Sequence, residues 1–439
     1  MGADLALDLT PVRAHRELRL LFVSQLGGML GYGVTQVAIP FQAYALTHSS
    51  LWVGWTALAQ AVATIAGLLR GGTLADSKDR RRVLIGTRLL MAATSAALAL
   101  NAVAARPQLW LLVALAAASA AGFGLGSPTR IATVPRLVSP ELLPAASALQ
   151  AIINQVGLLV GPATAGLVIG FSGITSAFGL AAAGMFLSAL PLISMHPLPR
   201  SATAALGGSR TFPDALRFVG KSRVILGILL VDTNAMVFGM PRAVFPALAI
   251  ETFHGGATAV GLLFAAPSAG AMLAAATSGW ISRVQHAGRV ILFAVAVWGA
   301  AIAAIGLTSQ LPIALALLAV AGAADVVSEV LRLTILQLRT PDALRGRVTS
   351  VLLAQTAASP LLGDTEAGMV AAAATPALSV LTGGLASLAG VLLIAVAFPA
   401  LRTARLKPTP AQDVPVEHAQ DHGALTAPTA READRQRGP

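Results

Sequence analysis

Cysteine is absent from the 439 residues, which excludes a disulfide framework, a thiol nucleophile and cysteine metal ligands and leaves the redox compartment open. Charge is scarce: 11% of residues are charged against 56% hydrophobic, and the mean hydropathy is +0.75. A soluble domain carries about 25% charged residues, so too few polar side chains exist here to cover several soluble domains. The same apolar excess excludes a chain disordered throughout. No Walker loop is present, which argues against a self-contained ATP-driven pump. The GFGLG run at Gly122 has no strand before it and reads as helix packing, not as a dinucleotide loop. No nucleophile and base stand at an enzyme-like spacing. The first twenty residues lack the layout of a secretory signal peptide, and Ala6 stands where a myristoylation start needs Ser or Thr.

What is present is a series of apolar runs at 20–45, 52–70, 83–104, 109–131, 147–170, 174–195, 223–250, 258–281, 288–308, 311–336, 348–372 and 376–400. A bilayer crossing takes roughly 20 apolar residues, so the pattern predicts an all-α membrane protein with twelve transmembrane helices. The polar, Pro- and Gly-containing stretch 196–222 reads as a cytoplasmic linker between an N-terminal six-helix half, 1–195, and a C-terminal half, 223–400. Residues 401–439 are too polar to bury a core and are expected to form a disordered cytoplasmic tail.

The net charge of +11 follows the loops. Arg13, Arg16, Arg19, the 78–82 cluster, Arg136, the linker charges, Arg283, Arg289, Arg339, Arg345, Arg347 and the tail fall on one side, and Arg106 on the other. The positive-inside rule then places both termini in the cytoplasm and removes the need for a nucleic-acid partner. Trp52, Trp55, Trp110 and Trp280 stand at span ends, as interfacial anchors do. Lysine supplies three of the thirty basic residues, and with the high alanine content this points to a high-GC bacterial genome and hence to a bacterial inner membrane. The expected surroundings are the lipid bilayer.

The two halves repeat each other. Gly72 precedes Gly279 by 207 residues, Arg82-Val83 meets Arg289-Val290 at the same offset, and Ser139-Pro140-Glu141 meets Thr340-Pro341-Asp342 at an offset of 201. Corresponding loops in two six-helix halves are a feature of transporters whose halves rock about a central site.

The loop after the second span runs Gly72-Thr73-Leu74-Ala75-Asp76-Ser77-Lys78-Asp79-Arg80-Arg81. Asp76 stands at a helix end beside cations, where it could pair with Arg80 or Arg81 or cap a neighbouring helix. This loop resembles the Gly-x-Leu-Ala-Asp-Arg-x-Gly-Arg-Arg pattern of the major facilitator superfamily, departing at Ser77 and Asp79. The resemblance implies a conformational latch at Gly72, Asp76, Arg80 and Arg81; the alternative is a loop merely held inside by its charges. In the fifth span Gly157, Gly161, Pro162 and Gly166 resemble a motif of proton-coupled exporters in that superfamily, with Ala165 replacing one glycine. Close helix packing at the glycines and a kink at the proline explain the same residues.

Five further segments, THSSLWVGW, GGTLADSKDRRRVLI, GLAAAGMFLSALPLIS, PRAVFPALA and ILQLRTPDALRGRV, are similar to an enterobactin exporter-like branch of the superfamily. Arg345, Gly346 and Arg347, before the eleventh span, belong to the last of these and also read as a charged inner loop. The resemblance spans residues 16–405 and implies the major facilitator fold with two pseudo-symmetric halves. It also implies export of a catecholate siderophore, whereas close relatives in the branch are called multidrug or macrolide exporters.

Ionisable groups within spans cost roughly 2.5 to 3.5 kcal/mol each on insertion scales and mark candidate sites. Asp325, Glu329 and Arg332 fall within a stripe of about 60° on the tenth span. On this spacing Arg332 pairs with Glu329 and Asp325 is the odd carboxylate, available to exchange a cation for a proton; a purely structural ion pair is the alternative. Asp232 in the seventh span is a second candidate proton acceptor. Arg242, ten residues further on, either attracts an anionic substrate or snorkels to the surface. Asp364 and Glu366 are read as interfacial charges. Gln25, Tyr32 and Gln36 in the first span and Asn154 and Gln155 in the fifth are candidates for a substrate-cavity wall, or for polar helix packing.

These readings predict a secondary transporter exporting an amphipathic siderophore-like or drug-like molecule by alternating access and proton antiport. A polyspecific multidrug exporter and a transporter-like receptor or scaffold are the alternatives. No cofactor is expected. His418 and His422, four apart in the tail, are too weak a pattern to predict a metal site.

Overall fold

The computed structural model of the chain describes residues 8–197, 212–277, 279 and 284–406; the side chains of several further residues, among them Asp76 and 345–347, are not described. Most of the expected linker, Trp280, Arg283 and the chain after Leu406 lie outside these residues. The helices are α1 (Thr10–Ala14), α2 (Arg16–Thr47), α3 (Ser50–Ser77), α4 (Arg80–Val103), α5 (Leu109–Leu137), α6 (Leu143–Ile193), α7 (Phe212–Lys221), α8 (Arg223–Phe238), α9 (Phe245–Ala247), α10 (Gly256–Ala276), α11 (Ala287–Ile305), α12 (Leu311–Arg339), α13 (Asp342–Ala373), α14 (Pro376–Ala397) and α15 (Pro399–Arg402). Among the described residues there is no strand.

Among the described residues nine helical stretches are long and apolar enough to cross a membrane. The bundle is turned inside out relative to a soluble protein. Phe171, Leu273, Phe293 and Leu393 are exposed on its outer surface, whereas Gln25, Thr129, Ser328 and Arg332 are buried within it. Lipid solvates the first set at no cost, while backbone and side-chain polar groups must find partners inside. Trp52, Trp55 and Trp110 are exposed.

Three local features shape the bundle. Helix α6 has 51 residues, more than twice the roughly 20 that one bilayer crossing takes. It is divided at Gly173, whose φ of 82° and ψ of 170° lie where a side chain is strained. The expected fifth and sixth spans are therefore arms of one element that meet without a loop.

The seventh expected span is also irregular. After α8 the chain passes Gly239 and Pro241 into a 3-10 turn (Arg242–Val244), then α9, then a π-turn (Leu248–Thr252). Trp298 Nε1 donates to the carbonyl freed at Gly239 at 2.9 Å. Third, the end of the expected linker is helical. Phe218 and Val219 of α7 pack with Ile225, Leu229 and Leu336, which the proline- and glycine-containing sequence around them conceals.

Small residues let the helices approach. α2 packs on α6, α3 on α5, and α10 on α12, while α6 also packs on α10 and α3 on α13. At Gly33 an added Cβ would lie 2.7 Å from the Gly157 carbonyl oxygen and 2.9 Å from Gly161 Cα. Gly166 faces Gly261 of α10 as closely, at 2.8 Å.

Candidate transport site

The buried polar centre is built from α8, α12 and α13. Arg332 on α12 donates to Asp232 Oδ1 of α8 through Nη1, and through Nη2 to Asp325 Oδ1 two turns back on its own helix at 3.5 Å. Asp232 and Arg332 are 2% and 7% exposed. Gln355 of α13 reaches the second Asp232 oxygen at 2.9 Å and also lies 3.0 Å from Thr233 Oγ1 and from the Leu229 carbonyl.

This corrects the expected pairing of Arg332 with Glu329. Glu329 is exposed, and the guanidinium turns instead to buried carboxylates, where low polarity strengthens a charged hydrogen bond. Asp325 is accordingly not the odd carboxylate of the stripe. A single cation shared by two acids on two helices can be released from either when that acid takes a proton.

A cavity of 230 Å³ lies between α2, α3, α5, the 3-10 turn, α10 and α13. Tyr32, Gln36 and Arg242 line it together, with Gln60, Thr56 and Ser119 supplying further polar groups. Tyr32 stacks on Phe123 with centroids 4.3 Å apart and planes 12° from parallel. Arg242 Nη2 pairs with Asp364 Oδ2 at 3.0 Å, and Asp364 Oδ1 accepts from the Ala243 backbone at 3.1 Å.

Arg242 therefore does not snorkel, and Asp364, 5% exposed, is no interfacial charge. Gly363 allows α13 to approach the end of α8 at Val237, which brings the irregular backbone onto the carboxylate. Glu366 is half-buried.

The remaining candidates lie elsewhere. Gln25 Nε2 donates to Asn154 Oδ1 at 2.8 Å, a link between α2 and α6 outside the cavity lining, and Gln155 does not line the cavity either. Gly157 and Gly161 face α2, and Gly166 faces α10.

In the loop after α3, Gly72 has open space around it and the Asp76 side chain is outside the description. Arg80 Nη1 donates to the Ala132 carbonyl at 2.6 Å. Arg81 donates to the carbonyls of Leu192 and Ile193, to the first of these at 2.9 Å. Both cations thus satisfy carbonyls near helix C-termini. Asp79, where the sequence departs from the superfamily pattern, caps α4 by accepting from Arg81 N at 3.0 Å. The side chains of Arg345 and Arg347 are not described, nor is the packing around Gly346. Among the described residues no group of three or more potential ligands could hold a metal.

Four features escaped the sequence reading. Gln355 is an amide in an apolar run, and Arg88 and Arg130 are cations in such runs, so the polarity rule applied to Asp232 would have found all three. The Tyr44–Glu251 hydrogen bond between α2 and the π-turn leaves no sequence signal.

A family model described as transmembrane secretion effector matches residues 7–429. The chain belongs to this family, a branch of the major facilitator superfamily. The chain is 30% identical over 407 residues to the enterobactin exporter EntS of Citrobacter koseri, covering 93% of this chain and 97% of that one. It is also 30% identical over 407 residues to EntS of Shigella boydii serotype 18.

Solved structures with the same fold include the nucleoside transporter NupG, at TM-score 0.70 and 14% identity over 88% of this chain and 98% of the other. A bacterial homologue of the human lysosomal transporter Spinster, inward-facing and occupied, gives TM-score 0.69 and 16% identity over 91% and 99%. The chain is thus a multi-pass inner-membrane transporter of small molecules and not an enzyme.

Proposed function

We propose that the protein exports an amphipathic, siderophore-like small molecule from the bacterial cytoplasm by alternating access, in exchange for protons. Counting α2, α13 and the two arms of α6 with the other apolar segments gives twelve crossings. The cation distribution then sets both termini in the cytoplasm, with halves 1–195 and 223–400, the linker 196–222 and the tail 401–439.

The observation that carries the coupling is Arg332 held between Asp232 and Asp325. Protonation of one carboxylate removes its hold on Arg332, and the guanidinium shifts to the other, changing how α8 packs against α12. Cargo enters the cavity walled by Tyr32, Gln36 and Arg242. The exporter names of the relatives at 30% identity support the direction and the siderophore-like cargo. On this reading the loop at Gly72, Asp76, Arg80 and Arg81, the inner loop at Arg345, Gly346 and Arg347, and the glycine motif Gly157, Gly161, Pro162 and Gly166 serve the conformational change.

The test is proton movement in proteoliposomes of known protein orientation, with catecholates and lipophilic drugs presented one at a time to the wild type and to Asp325→Asn. Cargo-dependent proton flux in the wild type that disappears in the variant supports antiport through the α8–α12 centre. Flux that survives in both Asp325→Asn and Asp232→Asn removes coupling from that centre. Cargo movement without proton flux removes antiport, and no movement with any compound removes export of these classes.

A further inference from the structure

Two arginines, Arg88 buried and Arg130 half-buried, lie in the part of the bundle built from α2, α4 and α5, and among the described residues neither has an acidic partner. Arg88 on α4 is 7% exposed, and among the described residues no carboxylate pairs with it or with Arg130 on α5. Among the described residues Arg130 makes one hydrogen bond, a long one of 3.5 Å to Ser127 Oγ, and its buried Nε has no partner.

An uncompensated cation inside a membrane-spanning bundle is costly, and a second one in the same part of the bundle adds to that cost. Elsewhere in the bundle the same problem is solved: Arg332 has two carboxylates and Arg242 has one.

The Arg88 guanidinium packs directly on α2, and that of Arg130 lies over a ring that stacks on α2. A Cβ at Gly28 would collide with the guanidinium of Arg88, so the missing side chain at that position makes the room this cation occupies. One turn further along α2, Tyr32 stacks on Phe123, and the Arg130 guanidinium carbon lies 5.7 Å from the centre of the Phe123 ring. Gly126 lets α5 come within contact of Thr87 beside Arg88, with an added Cβ placed 3.0 Å from the Thr87 hydroxyl oxygen. Tyr32 and Phe123 in turn line the 230 Å³ cavity. The cluster therefore combines two uncompensated cations with a pair of parallel aromatic rings at the edge of a cavity.

Resting on the transport reading above, we propose that Arg88 and Arg130, with the Tyr32–Phe123 pair, form a subsite for an anionic aromatic group of the cargo, a benzoate or phenolate ring. The guanidiniums supply fixed charge-assisted donors for the anionic oxygens, and the stacked rings supply a flat apolar wall for the ring that carries them. The acids of the α8–α12 centre repel the same group, so the two polar clusters take opposite roles: one holds the anion and the other handles the proton.

The test is direct binding to purified protein in lipid nanodiscs, by titration calorimetry, with anionic 2,3-dihydroxybenzoate and its neutral analogue 2,3-dihydroxybenzamide. The wild type is expected to prefer the anion by about tenfold or more, the scale of one lost charged hydrogen bond. Arg88→Gln and Arg130→Gln each remove that preference while leaving the amide within about threefold. Equal affinity of the wild type for both probes, or no binding of either, overturns the proposal without any variant being needed. So does a double variant that keeps the anion preference, or one that is folded by thermal melting and loses both probes equally. Transport is read separately in proteoliposomes: anion-selective binding without cargo movement sinks the export reading and leaves the subsite standing, whereas movement with no anion preference does the reverse.

Discussion

Tyr44 of α2 donates its hydroxyl hydrogen to the carboxylate of Glu251 in the π-turn after α9, a bond between residues 207 positions apart. The His48 ring stands edge-on to Tyr44 at 6.1 Å. Gly54 of α3 meets Gly368 of α13, so two separate contacts join early helices to late ones. On the alternating-access reading both must part when this end opens.

Tyr44→Phe is therefore expected to raise the population open at this end without unfolding the protein. The natural absence of cysteine leaves no background for labels placed on cysteines substituted at the exposed positions His48 and His254. Spin-label distances between them should shift toward longer values in the variant. An unchanged distance distribution would mean that the hydrogen bond does not hold this end closed.

Removing Arg332 strands two carboxylates together. Arg332→Leu should lower thermal stability by about 3–5 kcal/mol, the usual cost of breaking a buried pair, and abolish transport. Asp232→Asn keeps the shape and a hydrogen-bond acceptor, so it should melt near the wild type and still lose proton-driven transport. Equal loss of stability in both variants, in a melting assay in detergent, would make the centre a structural brace.

Asp364 serves a side chain and the backbone together. Asp364→Ala leaves Arg242 and the Ala243 N–H without their acceptor and should cost about 3–5 kcal/mol. Asp364→Asn retains an oxygen for Ala243 and should cost less than half of that. Identical melting shifts would show that the Ala243 bond contributes nothing.

Gly33→Ala tests the closest approach of α2 and α6. The added methyl meets the backbone at Gly157 and Gly161, which cannot swing aside, so a loss of about 1–3 kcal/mol is expected. Gly72→Ala, with open space around it, is the control and should melt like the wild type.

The fold was legible because hydropathy alone dictates it: apolar runs of crossing length, separated by cations, leave few architectures. The site was legible one residue at a time. Asp232, Asp325 and Arg332 each stood out as charges in apolar runs, but helical periodicity relates only residues on one helix. It offered Glu329 as the partner of Arg332 and could not supply Asp232, 100 positions away.

Asp364 was misplaced for a related reason. Its depth depends on how α8 ends, and nothing in the sequence announces that the carboxylate caps a turn on another element. Arg88 and Arg130 were visible under the rule applied elsewhere; what the sequence could not show is that no acid among the described residues meets them.

The junction at Gly173 has a mechanical consequence. One residue of non-helical backbone between two long arms leaves no slack, so a tilt of the first arm is transmitted to the second as through a cranked lever. The first arm bears on α2 through Gly157 and Gly161 and on α10 through Gly166, while the far end of the second is gripped by Arg81 at Leu192. Load applied where α6 meets α10 is thereby carried back to the base of α4 by two arms hinged on one residue.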